Sequence, residues 1–136
     1  MKKLENNWRY KTLENLEKHE FGDPKEAPTK MVKRCLELCR IALDEFTVED
    51  IRLMIGQLFS LKYLIPLATE HLRKDIFAEG KYYPGDLLSN VLKIDQEFWR
   101  NNKPAWKEIA NLITNERSEL AERGIATTLF DTAFDV

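Results

Sequence analysis

Few side chains in this chain are of the types that do covalent or acid–base chemistry. The two histidines are His19, in a polar turn region, and His71, which follows Glu70 in an apolar-rich stretch. A general base must stand beside a nucleophile or a partner that tunes its pKa. Neither histidine does so in sequence, and His71 reads as a partly exposed helix residue. Glycine-rich phosphate loops and the patterns GxSxG, HExxH and CxxC are absent. Cys35 and Cys39 lie four apart on an expected helix, with Cβ atoms about 5–6 Å from one another. That is too far for an unstrained disulfide. With no histidine nearby in sequence, they read as reduced, buried structural residues, which suits a reducing compartment. The expectation is a protein without catalytic residues, cofactor or metal, and so not an enzyme.

Charge offers a different kind of chemistry. Asp44, Glu45, Glu49 and Asp50 fall together in a stretch without Lys or Arg. Glu17, Glu20, Asp23 and Glu26 form a second acidic group, diluted by Lys18 and Lys25. One reading is helix capping plus solvated surface. The other is a docking surface for a basic partner, where complementary charge speeds association and restricts partner choice. The Asp44–Asp50 group leads, with Glu17, Glu20 and Asp23 as further candidates. Lys30, Lys33, Arg34 and Glu37 read as the solvated side of a helix.

These residues must be positioned by helices. The densest apolar stretch runs from Thr47 to Leu72. Helical spacing puts Ile51, Met54, Ile55 and Leu58 on one face, then Leu61, Leu64, Ile65, Ala68 and Leu72 on the next. The pair is expected as a central hairpin over about residues 47–74, opened by Thr47 with an acid three residues later. Gly56 implies the close approach of another backbone or the helix end. Gln57 reads as either a buried amide satisfying a loop or a surface residue, and Pro66 as near a helix start or at a kink.

Around that hairpin, Thr12 caps a short helix with Leu13 and Leu16, and Phe21-Gly22-Asp23-Pro24 is a turn. Pro28 opens a helix to about Arg40, with Val32, Cys35, Leu36 and Cys39 inward. Asp75 to Tyr83 is a loop, after which Pro84 starts the helix of Leu87, Leu88, Val91 and Leu92. Asp95 caps a short helix with Phe98 and Trp99, and Pro104 opens a last long helix ending near Arg123-Gly124. The tail, residues 125–136, could fold back, add an extended segment or stay loose. It is the one place where a strand is plausible. The fold class is therefore all-α: one compact domain over residues 1–136, with about six to eight helices around the hairpin.

Totals agree. The chain has 136 residues, 43% hydrophobic and 32% charged, as in ordinary globular proteins. A net charge of −2 gives nucleic-acid binding no global support. No apolar run approaches the roughly 18 residues of a membrane span, and the first residues lack the apolar segment of a secretory signal. A cytoplasmic monomer without membrane contact is the simplest expectation.

Several segments together resemble the small helical branch of immunity proteins from bacterial contact-dependent growth inhibition systems. They are Phe21-Gly22-Asp23-Pro24, the helix of Cys35, and Thr47 through Gln57 (TVEDIRLMIGQ). Tyr63 through Ala68 (YLIPLA), Tyr82 through Leu88 (YYPGDLL) and Phe98-Trp99 follow in order. The resemblance covers roughly residues 12–102, and beyond Trp106 nothing specific matches. It implies a cytoplasmic protein that binds and neutralises the C-terminal toxin domain, often a nuclease, of a cognate large exoprotein. Inhibition by binding carries no catalytic residues over. The alternative from another class is a helical adaptor or regulatory module for an endogenous protein.

Overall fold

Threonine hydroxyls set three of the helix starts in the first half of the molecule. The computed structural model describes Leu4 and residues 6–135; the remaining residues of the expected 1–136 domain lie outside it. Thr12, Thr29 and Thr47 accept the backbone N–H of Asn15, Val32 and Asp50. Each satisfies a donor that the first turn leaves orphaned. They open α1 (Leu13–Glu17), α2 (Lys30–Leu38) and α3 (Val48–Gly56). Pro28 therefore lies outside α2, contrary to the expected first-turn position, because the Thr29 hydroxyl takes the cap. Pro84 likewise precedes α5 (Asp86–Leu92), whose N-cap is Gly85.

Between them, α4 (Leu61–Lys74) carries Pro66 inside the helix rather than in its first turn. After α5 come α6 (Gln96–Arg100), capped by Asp95, and α7 (Lys103–Ile113), with Pro104 in its first turn. The expected long last helix is divided. A 3-10 turn, Thr114–Glu116, separates α7 from α8 (Arg117–Glu122). There the Thr114 hydroxyl donates back to the Ala110 carbonyl oxygen at 2.8 Å, a bond that competes with regular helix continuation. Gly124, at φ +71°, ends α8. Its N–H reaches Ala121 O while Ile125 N–H reaches Leu120 O, the paired bonds of a left-handed helix stop.

Nine α-helices form among the described residues, and the fold is all-α. No strand forms among them; a lone antiparallel bridge pairs Glu79 with Pro84. The centre is α3, packed most extensively on α5 and then on α4, so the expected hairpin is only part of it. Ile51, Met54, Ile55, Leu64, Leu72, Leu87 and Val91 are buried at this junction. Leu58, expected on the inner face, is instead 62% exposed at φ +62°, because α3 has already ended at Gly56. Gln57 is exposed too, so of its two readings the surface residue holds and the buried amide does not. At Gly56 the close neighbour is a side chain, not a backbone: an added Cβ would lie 2.9 Å from Asn90 Nδ2. Cys35 and Cys39 are free thiols in the core.

The tail folds back and is helical. In α9 (Thr128–Asp131), Phe130 is fully buried, stacked on Trp106 and edge-on to Trp99, each at 5.3 Å. Trp106 Nε1 donates to Phe130 O at 2.9 Å and Arg100 Nε to Ala133 O at 2.7 Å. No helix among the described residues is long and apolar enough to cross a membrane.

Candidate docking surfaces

The structure divides the acidic residues into two roles. Asp50 is 7% exposed: its Oδ2 accepts the Thr47 N–H at 3.0 Å and its Oδ1 meets Arg34 at 3.2 Å. Glu49 is held by both guanidinium nitrogens it can reach, Arg52 Nε and Nη2, each at 2.7 Å. It also accepts the Lys81 backbone N–H at 2.7 Å. The Arg52 hydrogen bonds, helped by the Lys81 N–H and opposed by partial burial, hold its carboxyl below the usual carboxylate range. Both residues therefore have internal partners.

Asp44 and Glu45 differ. They are exposed on the 3-10 turn Leu43–Glu45, whose Leu43 is buried together with the following Phe46. Among the described residues neither makes an ion pair. Glu17 and Glu20 are exposed at and beyond the end of α1. Asp23 accepts the Lys25 N–H at 2.9 Å and lies in a groove lined by Lys25, Lys33, Arg34 and Arg40. It thus belongs to cationic surroundings, not to an acidic group.

A network of carboxylates fixes the loop between α4 and α5. Asp86, 2% exposed, accepts Gly80 N–H at 2.7 Å and Tyr82 N–H at 3.0 Å. Arg52 Nε stands 3.9 Å from the same carboxylate, with the guanidinium 4.7 Å from the Tyr82 ring centre. Gly80 is needed for space: an added Cβ would fall 2.6 Å from Glu49 Oε1. The loop is tied to α3 and α5 yet presents Tyr82 at 63% and Tyr83 at 43% exposure.

Two open grooves flank α2. The first, about 610 Å³, lies between α2, α3 and the tied loop; Lys30, Met31, Arg34, Leu53, Lys81 and Tyr82 are among its lining residues. The second, about 590 Å³, runs along the other side of α2, and Arg34 lines both. Lys25, Lys30, Lys33 and Lys81 form no ion pair among the described residues. Exposed large apolar side chains concentrate here as well. Met31 and Tyr82 line the first groove, and Leu58 and Tyr83 each adjoin a lining residue. The sequence reading assigned Lys30, Lys33 and Arg34 to a solvated face. Their i, i+3, i+4 spacing does put them on one face, but Arg52 and Lys81 arrive from α3 and a distant loop.

His71 is half-buried on α4, where burial and then Lys74 push its pKa below the ordinary value. No group of three His, Cys, Asp or Glu among the described residues could hold a metal. Compared with known proteins, residues 15–109 match the family model of CDI immunity proteins, CDI standing for contact-dependent growth inhibition. That span starts within α1 and ends within α7. Among curated proteins and among solved structures nothing matches.

Proposed function

The chain belongs to the family of CDI immunity proteins, and on that premise we propose that it binds the C-terminal toxin domain of a cognate exoprotein in the cytoplasm and inactivates it as a monomer. The family match over residues 15–109 carries this reading. Function here is occlusion, with no bond made or broken by the immunity protein.

The toxin is a nuclease in this proposal. Nuclease domains need cationic clefts for phosphate backbones, and acidic side chains without internal partners suit such a cleft. Asp44 and Glu45 fit best, being exposed on a turn anchored by Leu43 and Phe46. Glu17 and Glu20 extend the contact, and Asp50 steadies the start of α3 that follows the turn, while Glu49 and Asp23 are engaged elsewhere. A specific complex would bury on the order of 1,600 Å² in total.

Co-expression with the C-terminal domain of a cognate exoprotein tests the function. Growth rescue and co-purification are expected; a pair that does neither refutes it. Asp44→Lys with Glu45→Lys should slow association on the order of tenfold at low salt and flatten its salt dependence. Unchanged rates would move the contact elsewhere on the protein.

A further inference from the structure

We propose that the cationic, aromatic-rimmed face of α2 is a second docking surface, and that its occupant is an extended acidic segment of the toxin domain. The inference rests on the toxin-binding function above and adds a contact of opposite sign to the acidic turn at Asp44 and Glu45. Two independent observations point to it.

The first is unbalanced charge. Lys30, Lys33 and Lys81 stand at or beside the grooves without an ion pair among the described residues. The nearby carboxylates are already committed: Glu49 to Arg52, Asp50 and Glu37 to Arg34. Lining cations outnumber lining carboxylates four to two in each groove, so an incoming carboxylate would meet net positive charge.

The second is the concentration of exposed apolar area in the same place. Met31 at 45% and Tyr82 at 63%, both lining the first groove, give a partner's apolar side chain somewhere to sit. Aromatic and arginine side chains around a pocket are the usual energetic centres of protein interfaces. The loop bearing Tyr82 is already held by Asp86 and Glu49, so binding need not pay to order it.

A nucleic-acid strand fits less well. Asp23, Glu37, Glu49 and Asp50 are interleaved along the same grooves and would oppose a continuous phosphate backbone. An acidic peptide can place its carboxylates at the lysines and its apolar groups at Met31 and Leu53. Surfaces of both signs on one inhibitor also reject toxins that match only one of them.

The test uses the full chain and the same toxin domain, with affinity measured by calorimetry across a salt series. Lys30→Glu with Lys33→Glu should weaken binding at least about tenfold and reduce its salt dependence. Tyr82→Ala should weaken it by about tenfold with the salt dependence kept. Lys107→Glu, on the exposed side of α7, is the control and should change nothing. If the reversal variant melts early, Lys30→Gln with Lys33→Gln replaces it. Wild-type binding with both grooves' variants unchanged overturns this surface and leaves the toxin-binding function standing; absence of wild-type binding overturns both. A labelled twelve-nucleotide RNA should not bind. Binding of that RNA as tight as the toxin's, and lost in the reversal variant, assigns the face to nucleic acid and overturns the acidic-peptide occupant.

Discussion

The carboxylate of Glu49 accepts the backbone N–H of Lys81 at 2.7 Å across 32 residues of chain. One acid at the start of α3 thereby fixes the loop before α5 while Arg52 holds its other oxygen. Glu49 is consequently a scaffold residue whose influence on binding runs through Tyr82 and Lys81.

The bonds to this carboxylate, those from Arg52 above all, make stability depend on pH. Glu49 has a lowered pKa in the native state, chiefly through Arg52, against about 4.3 when unfolded. Between those values the native protein binds fewer protons than the unfolded one, so stability falls as pH falls. Glu49→Gln should cost about 1 kcal/mol at pH 7, with the gap to wild type closing as pH drops from about 4.3 through the native value. Urea unfolding at pH 7, 5, 4 and 3 measures it. A gap that persists undiminished at pH 3 contradicts the assignment.

Gly56 and Asn90 should be energetically coupled. Asn90 Nδ2 donates to Arg52 O at 2.9 Å, and a Cβ on residue 56 would lie 2.9 Å from that nitrogen. Alanine at this last position of α3 otherwise gains up to roughly 0.5–1 kcal/mol over glycine, the mid-helix value. Displacing the amide should forfeit a hydrogen bond of about 1 kcal/mol. Gly56→Ala is therefore neutral or destabilising in the wild type and stabilising after Asn90→Ala. A double-mutant cycle with no coupling beyond experimental error would dismiss the contact.

Local signals survived the step from sequence to structure better than long-range ones. Hydroxyl caps at Thr12 and Thr47 and the glycine stop at Gly124 are encoded within a few residues, and all appear. The resemblance, over roughly residues 12–102, drew on the same local turns and caps, and the family match spans 15–109. Leu58 misled because its spacing continues the apolar stripe although the helix stops two residues earlier. Phe130 has no placement in the sequence because its partners, Trp99 and Trp106, lie more than twenty residues away. For the candidate site the limit was similar. Acid clusters are visible in sequence, and so is Arg52 one helical turn from Glu49, but whether an acid is free also depends on Arg34 and Lys81, which only folding brings near.

Thiol chemistry should be silent in the native protein. Burial, then Glu14 nearby, pushes Cys39 up to about 12, and burial also raises Cys35. Because the thiolate is the reactive form, both cysteines should stay unmodified by iodoacetamide at pH 8 while the urea-unfolded chain reacts fully. Intact-mass spectrometry distinguishes the two. Rapid native modification would show that α2 opens readily.

The C-terminal segment should be integral to stability. Phe130 has no exposed surface, packs against Trp99 and Trp106, and is bracketed by bonds from Gln96 to Leu129 O and Arg100 to Ala133 O. Arg117 and Asp131 add a two-pronged ion pair at 2.7 and 2.8 Å, half-exposed and so a smaller contribution. Phe130→Ala removes the ring but leaves these backbone bonds possible, isolating the packing. The expected loss is about 3–5 kcal/mol, a large share of the roughly 5–15 kcal/mol that holds a domain of this kind together. Phe130→Leu, which keeps most of the volume, should cost under about 1.5 kcal/mol. Tryptophan fluorescence should change in step, because the same ring touches two of the three tryptophans. An alanine variant within about 1 kcal/mol of wild type, with unaltered emission, would mean that the tail does not dock on the α6–α7 surface in solution.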